Sequence, residues 1–200
     1  MFTVAAPITT DRLVLRPFTL EDVDDVWSYQ RRPDVTQHLL WEARDRAQVE
    51  AAVEQMARER ALTEDGDCLS LAAVLPETGQ VVGQVELVCL SREDRQGEIG
   101  YVFNPDFQGQ GLATEAARAL LRLGFEGLDL HRIIARCSAH NLASAKLVER
   151  LGMRREAHFI DSRFVRGSWR EEFVYAMLQR EWNATAAQAS SGRSQRVRPR

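Results

Sequence analysis

Two hundred residues are enough chain to bury a core without help from metals or disulfides, and 44% hydrophobic with 28% charged is an ordinary globular composition. The net charge of −3 is uneven: Arg193, Arg196, Arg198 and Arg200 fall in residues 184–200 with no acid beside them, leaving residues 1–183 at −7, a balance that disfavours nucleic acid and suits a cationic partner. No apolar run approaches the ~18 residues of a membrane span, the start lacks a secretory pattern, and Cys68, Cys89 and Cys137 are scattered without a C-x-x-C pair, which argues for the cytoplasm and against a metal or redox site. The four histidines show no ligand spacing either.

From Arg12 to Phe18 the chain alternates as a strand, with Leu13 and Leu15 on one face. Thr19 and Asp22 form a capping pattern ahead of a stripe of Val23, Val26 and Trp27, and Pro33 ends that helix. A second helix is predicted over Asp45–Leu62, carrying Val49, Val53 and Met56 on one side. Strands Cys68–Leu75 and Val81–Leu90 are joined by Pro76-Glu77-Thr78-Gly79, the composition of a hairpin turn. Glu98–Phe103 reads as another strand, closed by Asn104-Pro105, and a helix follows from Leu112 to Glu126. Ile133–Cys137 is a short strand, Ala143–Leu151 a helix stopped by Gly152, and Glu172–Leu178 a last strand. Residues 184–200 have no apolar periodicity and read as a disordered, arginine-bearing tail behind one domain spanning 1–183. A hairpin inside an interleaved order makes the fold α/β (α+β), with a mixed, largely antiparallel central sheet flanked by helices rather than a doubly wound one.

The segment richest in chemistry is the loop into the helix at Leu112. The first turn of a helix presents backbone N–H groups without internal partners, and the helix dipole adds partial positive charge there. Gly109 and Gly111 let the backbone approach a ligand closely. Gln108, Gly109, Gln110, Gly111, Leu112, Ala113 and Thr114 therefore form a candidate cradle for a phosphate. No lysine follows in the Walker pattern and the third glycine of G-x-G-x-x-G is absent. Two glycines in a strand-to-helix turn are, on their own, equally a structural device.

Gln108-Gly109-Gln110-Gly111-Leu112-Ala113 fits the [RQ]-x-x-G-x-[GA] signature, and the chain resembles the GCN5-related N-acetyltransferases. Thr10-Asp11-Arg12-Leu13-Val14-Leu15-Arg16, Glu98-Ile99-Gly100-Tyr101, Asn141-Leu142-Ala143-Ser144, Leu151-Gly152-Met153 and Gly167-Ser168-Trp169-Arg170-Glu171 are similar to the RimJ/RimL-like branch, which acetylates ribosomal-protein N-termini. The resemblance implies acetyl-CoA as cosubstrate, no metal, and splayed parallel strands at its site. It places the pyrophosphate on Gln108 to Thr114, the pantetheine arm along the backbone of Val102 and Phe103, and Asn141 on that arm with Ser144 nearby. Asn141 and Ser144 are equally natural helix caps.

It further implies direct attack of an amine on the thioester. Glu98 and Glu86 are the candidate bases, each also readable as a solvated strand-end charge, and Asp161 is a third choice. Where many relatives have a tyrosine acid, this chain has Lys146-Leu147-Val148-Glu149, so Ser144 is the candidate acid, with Tyr101 and Cys137 as substitutes. Glu156-Ala157-His158-Phe159 departs from the branch's usual Glu-Gly, which leaves the acceptor open between a peptide N-terminus and a small amine such as a polyamine or antibiotic. Trp27, Trp41, Phe159 and Trp169 read as core as readily as acceptor wall. Homodimers are common in the family, and no segment here marks an interface. The rivals from other classes are a non-catalytic acyl-CoA sensor and, on the arginine tail alone, an RNA-binding accessory.

Overall fold

A computed structural model describes residues 2, 3 and 6–185. In chain order the elements begin with strands β1 (Phe2–Thr3), β2 (Ile8–Thr9) and β3 (Val14–Pro17), then helices α1 (Val23–Gln30), α2 (Pro33–Thr36) and α3 (Arg46–Arg58). Four strands follow: β4 (Ala61–Leu62), β5 (Cys68–Val74), β6 (Val81–Ser91) and β7 (Gln96–Phe103). The second half runs α4 (Leu112–Arg122), β8 (Arg132–Ser138), α5 (Leu142–Arg150), β9 (Arg154–Val165) and β10 (Ser168–Leu178), and residues 179–185 are helical. Most of the predicted tail, 186–200, lies outside the described residues.

One sheet holds eight strands in the order β2-β3-β5-β6-β7-β8-β10-β9. Its neighbours pair antiparallel, apart from β7 and β8, which are parallel. That parallel pair is short. Gln96, Gly97 and Glu98 face Arg132, Ile133 and Ile134, and no pairing continues beyond them, whereas β7 stays paired to β6 as far as Phe103. The two strands therefore splay, freeing one backbone edge of β7 from Ile99 onward.

Alternation along the strands loads both faces. Leu69, Leu71, Val85, Leu87 and Ile99 pack with Leu112, Ala116, Leu120, Leu147 and Val148 of α4 and α5. Ala72, Val74 and Val81 face the other way, against Val26, Tyr29, Val49 and Val53 of α1 and α3. Burying such a side chain is worth ~1.5–3 kcal/mol, so a one-residue slip of register would invert both layers. Over β8, β10 and β9 this second face carries only a small patch of Ile134, Val174 and Ala176, with Leu90 and Ala157 against it.

Several boundaries differ from expectation. Pro33 does not simply end the first helix: α1 stops at Gln30, and Pro33 opens α2 at a position where its missing N–H costs nothing. The predicted helix to Leu62 ends at Arg58, and Ala61–Leu62 pairs as β4 with β1. Thr19 and Asp22 do cap as read, the Asp22 carboxylate accepting from Thr19 N–H at 2.8 Å and from Arg16 at 2.6 and 2.8 Å. The whole of β9 was unforeseen, and β10 begins at Ser168 rather than Glu172.

Candidate active site

The splay opens onto a cavity of about 1590 Å³, ample for a long ligand. Gln108, Gly109, Gly111, Leu112, Ala113 and Thr114 line it from one side, Val102 and Phe103 from the free β7 edge, and Asn141 and Ser144 from the start of α5. Gln110 does not. Its carbonyl oxygen instead accepts from Arg12 Nη1 at 2.7 Å, so it is the one residue of the expected cradle that is not among those lining the cavity.

Gly111 is the N-cap of α4, with φ 82°, and offers no capping side chain. The amides of Leu112, Ala113 and Thr114 accordingly point out of the first turn without a described partner. A carboxylate so close to a phosphate site would repel it, yet Glu115 sits in that turn. It is engaged on both oxygens by Arg12 and on one by Thr10, at 2.6–2.8 Å. Burial pulls its carboxyl up, but those hydrogen bonds outweigh it and hold it below the usual carboxylate range. Arg118, Arg122 and Arg150 also line the cavity, and none forms an ion pair with a described residue. Spacings of three and seven from Glu115 put Arg118 and Arg122 on the same side of α4.

At the mouth of the splay the Tyr101 hydroxyl lies 2.8 Å from Ser144 Oγ. Burial pushes the Tyr101 phenol up to about 12, with the Ser144 bond pulling back, so it remains protonated at neutral pH. The Cys137 thiol is likewise pushed up by burial and touched by Ser144. Asn141 does cap α5, its Oδ1 accepting from Ser144 N–H at 3.1 Å. The cap uses only the oxygen. The amide nitrogen of Asn141 has no described partner and remains a donor at the cavity wall.

Glu86 and Glu98 are not in this cavity. Strand alternation places them on the opposite face of the sheet, in the row of Gln84, Val88, Gly100 and Val102. Glu86 pairs across from Gly100, and a Cβ there would overlap the Glu86 carboxyl group. The carboxylate thus lies over Gly100, two residues past the last β7–β8 pair, beside the point where those strands part. Burial, then repulsion from Glu59 and Glu98, pushes its carboxyl above the ordinary range. Glu98 is also raised by burial, but Arg136 at 3.3 Å partly offsets this. Asp161 is exposed on β9, the outermost strand.

The profile of the acetyltransferase (GNAT) domain family matches residues 12–154. The chain belongs to the GNAT acetyltransferase family. This GNAT enzyme is an N-acetyltransferase, and the family uses acetyl-CoA, which the glycine cradle, uncapped helix and splayed strands fit. The uncharacterized N-acetyltransferase YnaD of Bacillus subtilis (strain 168) is 33% identical to it over 181 residues, covering 88% of this chain and 99% of that one. The ribosomal protein uS5-alanine N-acetyltransferase of Escherichia coli (strain K12) is 29% identical over 182 residues, covering 88% and 92%. Among solved structures, a GNAT-family acetyltransferase from Bacillus anthracis superimposes with a TM-score of 0.79 at 30% identity, covering 88% of this chain and all of that one. The fold is shared at 20% identity and a TM-score of 0.72, over 86% and 98% of the two chains, with spermidine N-acetyltransferase from Vibrio cholerae in complex with CoA and spermine.

Sequence reasoning missed Thr10, Arg12 and Glu115 as a group, although Thr10-Asp11-Arg12 stood out as a motif. Nothing in its pattern said what Arg12 would reach, because its partners are about a hundred residues away. Among the described residues no cluster of three metal-ligating side chains occurs, and no helix is long and apolar enough to cross a membrane.

Proposed function

We propose that this acetyltransferase moves the acetyl group of acetyl-CoA directly onto the α-amino group of a peptide in the cytoplasm, with Glu86 as base and Ser144 as acid. The position of Glu86 carries the reading. On its face Glu98 and Glu172 are paired to Arg136 and Arg163, and Glu59 is held by Ser70 and Gln55. Glu86 has neither an ion pair nor a hydrogen bond with any described residue. One unengaged carboxylate suits an acceptor with a single cationic centre. A polyamine repeats its charge every few bonds and would set its other ammonium groups against those arginines.

Acetyl-CoA supplies the activated acetyl thioester. The amides of Leu112, Ala113 and Thr114, with Arg118, Arg122 and Arg150, suit its phosphates, and the free edge from Ile99 to Phe103 suits the pantetheine arm as an added strand. Asn141 offers its amide nitrogen to the same arm. Glu86 takes a proton from the ammonium, directly or through one water. The neutral nitrogen attacks the acetyl carbonyl beside the splay, forming the C–N bond of a tetrahedral adduct that then collapses by breaking the C–S bond. Backbone N–H groups of the free β7 edge face the oxygen on which charge develops. Ser144 protonates the departing thiolate and is reprotonated by the second proton that the adduct nitrogen sheds as it becomes an amide, with Tyr101 hydrogen-bonded behind it.

Calorimetry with acetyl-CoA, followed by thiol release from alanine- or serine-initiated peptides and from spermidine, tests this. We expect acetyl-CoA binding and a kcat/KM for a peptide at least about tenfold above spermidine, a difference of ~1.4 kcal/mol. A preference for spermidine would refute the peptide assignment. Absence of acetyl-CoA binding would refute the whole reading, and binding without turnover on any amine would favour a sensor.

A further inference from the structure

We propose that Arg12 is a positioning residue of the glycine loop, fixing which way the peptide between Gln110 and Gly111 faces. The inference rests on the assignment of that loop to the pyrophosphate. Arg12 Nη1 donates to the Gln110 carbonyl oxygen at 2.7 Å. Its Nε and Nη2 are held by the Glu115 carboxylate at 2.8 and 2.7 Å. The backbone N–H of Arg12 and the hydroxyl of Thr10 fix the same carboxylate at 2.7 and 2.6 Å. One guanidinium thus ties the entry to β3, the loop and the first turn of α4 into a single unit.

The peptides of the described chain are trans, and in a trans peptide the C=O and N–H point in opposite directions. Drawing the Gln110 carbonyl to Arg12 therefore turns the Gly111 N–H the other way. Of the two residues that share this peptide, Gly111 lines the cavity and Gln110 does not, so the N–H is the end of the peptide assigned to the cavity side. The restraint is needed because Gly109 and Gly111 sit at φ 77° and 82°, where glycine has nearly equal access to either hand. Such a peptide can turn over at small cost, and the turned-over form would present a carbonyl oxygen to a phosphate. Arg12 selects the amide-inward form, so that the Gly111 N–H joins those of the helix start as one anion-binding concavity.

Charge alone does not account for the arrangement. Glu115 neutralises Arg12 locally, and the Arg12 side chain is half exposed, where an ion pair adds little to folding. What the contact network fixes is the direction of one carbonyl.

The test compares Arg12→Lys and Arg12→Gln with the wild-type chain, using three probes. Calorimetry should show acetyl-CoA Kd rising about tenfold in both variants, because lysine keeps the charge but not the fork that spans Glu115 and Gln110. Acetyl-pantetheine, which lacks the pyrophosphate, should bind within about twofold of wild type by ligand-observed NMR. Inorganic pyrophosphate should move the Gly111 amide signal in the wild-type chain and not in either variant. Wild-type behaviour of Arg12→Lys would show that charge suffices and overturn the proposal. So would parallel weakening of acetyl-pantetheine and acetyl-CoA, which marks general damage. Should either variant misfold, Glu115→Gln loosens the grip while keeping Arg12, and an unchanged acetyl-CoA Kd there would overturn it equally. If the wild-type chain itself binds no acetyl-CoA, the site assignment falls, and the clamp with it.

Discussion

Replacing Glu86 by Gln removes the proposed base while keeping its shape over Gly100, where a Cβ would not fit beside it. Loss of a positioned general base costs about 10²–10⁴ in rate, or ~3–5 kcal/mol of transition-state stabilisation. The fall should appear in kcat and kcat/KM together, since Glu86 is not among the residues lining the cavity and acetyl-CoA binding should be unchanged. The pH profile sharpens the test. Burial holds the Glu86 carboxyl above its ordinary range, so the acidic limb of wild-type kcat/KM should lie above the usual ~4.3 of a glutamate, and Glu86→Gln should lack that limb. Stability moves in the opposite sense. A carboxyl whose folded pKa exceeds its unfolded one binds its proton more tightly when folded, so ionising it opposes folding as pH rises through the folded pKa. Glu86→Gln removes that penalty, and its Tm at pH 8 should equal or exceed wild type. A rate loss under about fivefold, which is ~1 kcal/mol, or a surviving acidic limb would refute Glu86 as base and return the role to Glu98.

Gly111→Val should raise the acetyl-CoA Kd roughly tenfold through backbone strain at φ 82°, which costs ~1–2 kcal/mol. The nearest atom to an added Cβ is Arg12 Nη2 at 3.5 Å, so circular dichroism should show the fold intact. Ser144→Ala should lower kcat by about tenfold or more without changing acetyl-CoA affinity, and a leaving thiol of lower pKa should restore much of the loss. Asn141→Asp keeps the cap on Ser144 N–H but loses the amide donor, so it should weaken acetyl-pantetheine with little change in Tm. Asn141→Ala should lose both, with about 1 kcal/mol of stability gone from the uncapped helix; equal Tm values for the two variants would contradict this.

The glycine loop and the helix that line the cavity were legible in the sequence because their signals are local. A strand, two glycines and an amphipathic helix follow one another between Glu98 and Arg122, and their chemistry is that of a helix N-terminus wherever it occurs. The Arg12 clamp was visible only as residue types, since its meaning depends on a contact across the fold. β9 was invisible for a different reason. It is the outermost strand and mostly exposed, with Arg154, Arg155, Glu156, Asp161 and Arg163 along it, and a charged edge strand carries no hydrophobic alternation to detect. Which face Glu86 and Glu98 take was implicit in the strand period, but the opening beside them is set by where β7 and β8 stop pairing, and no sequence pattern states that.

That opening divides the labour of the fold. On the α4 side, the groups suited to the cofactor are backbone amides and a glycine loop, whose geometry survives wide change in side chains, and the family match from 12 to 154 takes in all of them. The far side is built otherwise. Its end wall is the β9–β10 hairpin, which lies almost entirely beyond residue 154, and Arg166 at the hairpin tip reaches back to the carbonyl oxygens of Thr36 and Trp41. Under the proposed function, the acceptor would meet side chains on this charged hairpin and the loop after α2, with Arg136 and Arg163 already committed to Glu98 and Glu172. Proteins that share the first half can differ freely in the second, which is why enzymes named for a ribosomal-protein alanine and for spermidine both resemble this chain. What such an acceptor finds depends on which carboxylates are already engaged, and among the described carboxylates on this face beside the splay Glu86 is the one left uncommitted.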